Sequence, residues 1–118
     1  MPPDPALTIT TTATAGGVPL ISVAGEVDLA TAPQLDHAVS AVTDITAGMI
    51  IDFTAVGFLS STGLSVLIAA HKRTAGRIVL VATGNAVLRS LQTTHLDSLI
   101  SVTATVAEAD ELVRTLRP

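Results

Sequence analysis

The chain has 118 residues, no cysteine and a formal net charge of −4, a length that fits one domain and a composition that excludes disulfides and thiolate metal sites. Its six basic residues are scattered, and with no Trp or Tyr only Phe53 and Phe58 are available to stack on bases, which argues against a nucleic-acid partner. Mean hydropathy is high at +0.62, yet the longest apolar runs, IVLVA and VLIAA, are far short of the ~18 residues that span a bilayer.

The N-terminus, MPPDPALTITTT, has neither the basic nor the apolar region of a signal peptide, so a cytoplasmic protein is expected. Residues 7–13, LTITTTA, alternate apolar and polar as a half-buried edge strand does. Gly16-Gly17 supplies a turn, and VPLISVAG (18–25) returns as a second strand with Pro19 at its beginning, where a missing N–H is tolerated. Thr31 and Gln34 form a capping-box pattern with Pro33 between them. Leu35, Ala38, Val39 and Val42 follow at helical spacing, so a first helix is expected, closed by Gly48.

MIIDF (49–53) is a continuous apolar strand of the kind found in a parallel sheet covered on both faces. A second helix is expected from near Ser61 to about Ala75, with Gly76 closing it, and IVLVA (78–82) is a further buried strand. Gly84-Asn85 opens a short helix with Val87, Leu88 and Leu91 inward, and LISV (99–102) is the last strand. Thr105 and Glu108 make a second capping box ahead of a helix carrying Val106, Ala109, Val113 and Leu116. The order ββαβαβαβα predicts a single α/β domain, residues 1–118 with a core of about 7–116. Its sheet should be mixed and mostly parallel, with an antiparallel hairpin at the N-terminal end and helices packed on it.

Enzyme signatures are missing: there is no GxGxxG, P-loop or GxSxG, and His37, His71 and His95 are dispersed. His71 falls among Leu64, Leu67, Ile68 and Ala75 on the helical wheel, which reads as a partly buried core histidine. A charged fraction of only 14% implies some low-charge exposed surface, as a protein partner would need. Two constellations remain. Glu26 and Asp28, in GEVDLAT, stand at a strand end, where ligands gather in α/β sheets, or else Asp28 simply bonds local amides of a solvated turn.

The second is Ser60-Ser61-Thr62, three hydroxyls between a strand and a helix that needs at most one of them as a cap. With Ser61 as the N-cap, Thr62 lies just inside the helix and points toward Ala69 and Arg73, away from the Leu64, Leu67 and Ile68 stripe. An outward hydroxyl there suits a phosphate, because free amides and the helix dipole favour an anion. Position alone leaves that reading level with the bland one, since Ser and Thr are common at helix starts.

GEVDLATAPQLDHAV (25–39) followed by IIDFTAVGFLSSTGLSVLIAAHK (50–72) resembles the STAS domain of bacterial anti-sigma-factor antagonists, over essentially the whole chain. The resemblance implies a non-enzymatic module without a cofactor that binds an anti-sigma factor and so frees a sigma factor. The anti-sigma factor would be a serine/threonine kinase of histidine-kinase-like ATPase fold. That kinase would phosphorylate the hydroxyl residue just before the motif glycine, here Thr62 ahead of Gly63 and Leu64, with Ser61 a minor site, and a metal-dependent PP2C-type phosphatase would reverse it. Asp28 matches the family's acid near the phosphorylation site, whereas Ser60 stands where the motif carries an acidic residue. The implied partner surface combines the 26–31 loop (Glu26, Asp28, Thr31), the 57–63 loop (Phe58, Ser60, Ser61, Thr62, Gly63) and the outer side of the second helix (Ser65, Ala69, Arg73). The alternative is a STAS-type sensor that takes a small ligand, a nucleotide or a lipid, in the same region without a phosphoswitch.

Overall fold

The computed structural model describes residues 7–116; residues 1–6, which hold the start of the chain read above as lacking a signal peptide, and 117–118 lie outside them. In chain order the elements are β1 (Thr8–Ala13), β2 (Pro19–Val27), α1 (Ala32–Ala41), β3 (Met49–Leu59), α2 (Ser61–Arg73), β4 (Ile78–Val81), α3 (Asn85–Thr93), a 3-10 turn at Leu96–Ser98, β5 (Ser101–Thr103) and α4 (Val106–Val113). The sheet runs β1-β2-β3-β4-β5, antiparallel between β1 and β2 and parallel elsewhere. This is the predicted order and architecture.

The continuous apolar runs are explained by what covers each face. Met49, Ile51, Phe53, Ile78 and Leu80 point into one large core shared with Leu35 and Val39 of α1, Leu64 and Leu67 of α2, and Val87 and Leu91 of α3. Their alternates Ile50, Val79 and Val81 point the other way, into a smaller core with Val18 and with Ala109 and Val113 of α4. Period-2 side-chain alternation therefore buries every residue of β4, and no polar position is left to betray the pleat. Asp110, only 7% exposed, pins α4 to the β1–β2 turn by accepting from the Thr14 hydroxyl at 2.5 Å and the Gly16 amide at 3.2 Å. No helix among the described residues is long and apolar enough to cross a membrane.

Several local expectations are corrected. β3 does not stop at Phe53 but continues to Leu59, and its register against β2 shifts twice, pairing Ser22 with Asp52, Ala24 with Ala55 and Glu26 with Phe58. Each shift inserts an extra residue on β3, as a bulge does, so Phe53, Val56 and Leu59 are buried at every third position. The last strand is Ser101–Thr103; Leu99, expected within it, is 49% exposed and follows the 3-10 turn, while Ile100 is buried. The inward stripe of α2 is Gly63, Leu64, Leu67 and Ala70, and Ile68 lies outside it, 38% exposed. His71 is half-buried, as expected of a core-edge histidine.

The first capping box does not form. Thr31 is already helical at φ −100°, ψ −19°, and its side chain makes no cap bond. Its hydroxyl instead donates to the Glu26 carbonyl at 2.7 Å and accepts from the Asp28 amide at 2.9 Å, while Gln34 Oε1 accepts from the Leu7 amide at 3.1 Å. At α4 the Thr105 hydroxyl does accept from the Glu108 amide, at 3.1 Å, but the Glu108 carboxylate bonds that hydroxyl rather than the Thr105 amide.

Candidate functional site

The singled-out residues of the 26–31 and 57–63 segments gather at the C-terminal ends of β2 and β3, while Ser65, Ala69 and Arg73 lie farther along α2. Parallel pairing carries both strands to the same pole, with Val27 beside Leu59 and Glu26 beside Phe58. Glu26 and Phe58 are thus strand residues rather than loop residues, and a single residue, Ser60, links β3 to α2. Its amide donates to the Val27 carbonyl at 2.8 Å, which continues the ladder one step past the strand.

Ser60, not Ser61, is the N-cap. Its backbone is extended at φ −82°, ψ 171°, its carbonyl accepts from the Leu64 amide at 3.0 Å, and its Oγ accepts from the Gly63 amide at 3.4 Å. All three hydroxyl residues are competent caps, and the ladder decides among them: the chain can leave β-geometry only after its bond to Val27. The cap's Oγ also lies 2.7 Å from Thr62 Oγ1. Ser61 is exposed, and its carbonyl accepts from the Ser65 hydroxyl at 3.1 Å.

Thr62 is half-buried in the first turn of α2. It lines an open cavity of about 260 Å³ together with Leu29, Ala32, Pro33 and Asp36 from the start of α1 and Val66 one turn along α2. Gly63 brings this turn against the sheet: a Cβ there would stand 2.7 Å from both Leu59 Cδ1 and Val27 Cγ1. The motif glycine is therefore a packing requirement that seats Thr62 against α1.

Asp28 behaves as a local capping residue. Its Oδ1 accepts from the Ala30 and Thr31 amides, both at 2.9 Å, and lies 3.1 Å from the Thr31 hydroxyl. Together with the Thr31–Glu26 bond this fixes the 28–31 turn so that Leu29, at its tip, is held out in solvent at 77% exposure. Phe58, 47% exposed, and Ile68 add two further large apolar side chains at this pole and on the outer side of α2, where Ser65 and Ala69 are also exposed. Leu29, Ile68, Val66 and Asp36 were not singled out from the sequence. A leucine inside the polar turn VDLAT was the available signal for the first.

Arg73 stands apart. Its guanidinium donates to the Val39 carbonyl at 2.8 Å and to the Val42 carbonyl, satisfying the C-terminal end of α1 and tying that helix to α2. It serves the scaffold, and the outer face of α2 keeps Lys72 as its exposed cation. Among the described residues no three His, Asp or Glu side chains are placed to share a metal.

A family model described as STAS domain matches residues 10–109. The chain is 33% identical over 102 residues to the anti-sigma-F factor antagonist RsfB of Mycobacterium tuberculosis, covering 84% of each. It is 34% identical over 87 residues to the anti-sigma-B factor antagonist of Listeria monocytogenes, covering 70% of this chain and 75% of that one. The crystal structure of an anti-sigma factor antagonist from Mycobacterium paratuberculosis superposes with a TM-score of 0.83 at 34% identity, over 92% of this chain and 95% of the other. A family match over residues 10–109, which include the α1 and α2 blocks, with relatives of this identity, makes the chain a member of the STAS domain family.

Proposed function

We propose that this protein is an anti-sigma-factor antagonist: it binds an anti-sigma factor through the pole that carries Leu29, Phe58 and Thr62, and phosphorylation of Thr62 switches that binding off. The anti-sigma factor would itself be the serine/threonine kinase, of histidine-kinase-like ATPase fold, and a PP2C-type phosphatase would restore the active form. The observation that carries the reading is the setting of Thr62. Its hydroxyl lies in the first turn of α2, beside an apolar cavity and within reach of a turn that presents Leu29 to solvent. A protein partner gains most from apolar anchors of this kind surrounded by polar groups.

Phosphate on Thr62 would add roughly −1.5 to −2 charges at that point. The neighbouring side chains offer no compensation, since Asp36 is the one charged residue lining the cavity and it is acidic. Desolvating the dianion under a partner would therefore cost on the order of several kcal/mol. The small-ligand alternative gains no support here, because the cavity has no Lys or Arg in its lining to meet a nucleotide phosphate or a lipid headgroup. The test is to incubate the protein with its cognate anti-sigma kinase and ATP and map the product by mass spectrometry. Label on Thr62, with Ser61 minor and Ser60 silent, is expected; label confined to Ser60, or spread equally over all three, or absent, rejects the assignment.

A further inference from the structure

The 2.7 Å contact between Ser60 Oγ and Thr62 Oγ1 can be made with either hydroxyl as donor while Thr62 is unmodified. A phosphate ester removes that freedom: Thr62 Oγ1 loses its proton, and the contact survives only if Ser60 donates. Ser60 is able to do so without giving up its first task. Its oxygen accepts the Gly63 amide through a lone pair, and its proton remains free to turn toward Thr62. Its main chain is held on both sides, by the amide bond to Val27 and the carbonyl bond from Leu64, which keeps its Cα at the site.

We propose that Ser60 is a positioning residue for the switch, a cap whose hydroxyl becomes the fixed donor of this hydrogen bond on phosphorylation, so that the modified Thr62 is held and α2 keeps its N-cap. This rests on Thr62 as the modified residue. An aspartate at position 60 caps a helix as well as serine does, but it is acceptor-only when ionised and sets a second negative charge beside the phosphate. An alanine at position 60 neither caps nor donates. The other charged groups at this pole, Asp36 across the cavity and Glu26 and Asp28 at the end of β2, are common to all three proteins.

The test installs phosphothreonine at position 62 by semisynthesis in the full chain, so it does not depend on any kinase. It compares Ser60, Ser60→Asp and Ser60→Ala by phosphorus NMR titration, and the melting temperatures of each with and without phosphate. Donation to the phosphate group favours the dianion, so the second phosphate pKa should be lowest with Ser60, higher with Ser60→Ala, and highest with Ser60→Asp. The Asp–Ser gap should be about half a pH unit or more for charges some 5 Å apart in a water-like medium. Phosphate should leave the melting temperature of the parent within a few degrees and lower that of Ser60→Asp further. Equal phosphate pKa values in the parent and Ser60→Ala overturn the proposal, even if the Asp variant differs through charge alone. Failure of the kinase to label Thr62 would reject the functional reading and leave this titration intact, so the two outcomes are separable.

Discussion

Replacing Gly63 by alanine should destabilise the domain, although it exchanges the poorer helix former for the best one. In an exposed helix interior the change gains about 0.5–1 kcal/mol, because alanine loses less backbone entropy. Here the new methyl meets Val27 Cγ1 and Leu59 Cδ1 at 2.7 Å each. The leucine methyl ends a flexible side chain and can swing aside, but Val27 is completely buried and β-branched, which restricts its χ1. Overpacking of this kind costs about 1–3 kcal/mol, leaving a net loss of about 1 kcal/mol at mid-range values. For a domain of this length that is a fall of roughly 2–8 °C in melting temperature. Gly57→Ala is the matched control, because nothing stands within 4 Å of a Cβ at that strand position. It should be neutral or slightly stabilising. Both are measured by calorimetry on the unmodified protein, and a Gly63→Ala melting temperature equal to or above the parent's would refute the close-packing argument.

Thr62→Glu should weaken binding to the anti-sigma factor by about tenfold or more, since each ~1.4 kcal/mol is a factor of ten, while isothermal calorimetry on Thr62→Val should show binding like that of the unmodified protein. The Glu variant should melt within a few degrees of the parent, because an anion at a helix N-terminus is favoured by about 0.3–1 kcal/mol. Asp110→Ala should lower stability by about 1–3 kcal/mol in urea unfolding, as it leaves the Thr14 hydroxyl and Gly16 amide without their acceptor. The Asp44 carboxylate accepts from the Thr46 hydroxyl and amide, and these bonds hold its pKa below the usual 3.8. A depressed folded pKa means that its stabilisation is present above the unfolded value and is lost as pH falls through the folded one. Carbon NMR should therefore show Asp44 titrating below 3.8, and Asp44→Asn should abolish that share of the acid sensitivity.

The strands and helices that bury a simple face could be read directly. MIIDF and IVLVA are apolar throughout because helices lie on both sides of the sheet, and Leu35 and Val39 mark the inner side of α1. What could not be read depends on partners distant in sequence. Thr54 to Phe58 look like a loop because two bulges break the alternation, and bulges are a property of the β2–β3 pair rather than of β3. The cap fell to Ser60 because Val27, far back in the chain, accepts its amide. Thr31 matched a capping box, yet the Glu26 carbonyl had first claim on its hydroxyl. Arg73 looked like a surface cation until the ends of two helices met. Thr62, by contrast, lies in the first turn of α2 as expected, but it is half-buried against the start of α1 rather than outward, because Leu29, Pro33 and Asp36 are brought beside it only by the fold.

The division of the interior into two cores has a consequence for how the molecule opens. α4 touches only the smaller one, with Ala109 and Val113 on Val18, Ile50, Val79 and Val81, and it is fastened to the hairpin through Asp110. An eight-residue helix held by so few neighbours is suited to detach as a unit below the free energy of global unfolding, and its amides should exchange with solvent earlier than those of β3 and β4. The pole that carries Thr62 is built on the opposite side of the sheet, from α1, α2 and the large core. Local melting of α4 therefore leaves α1, α2 and the large core that build that pole in place, so that opening at the back of the sheet comes at little expense to recognition.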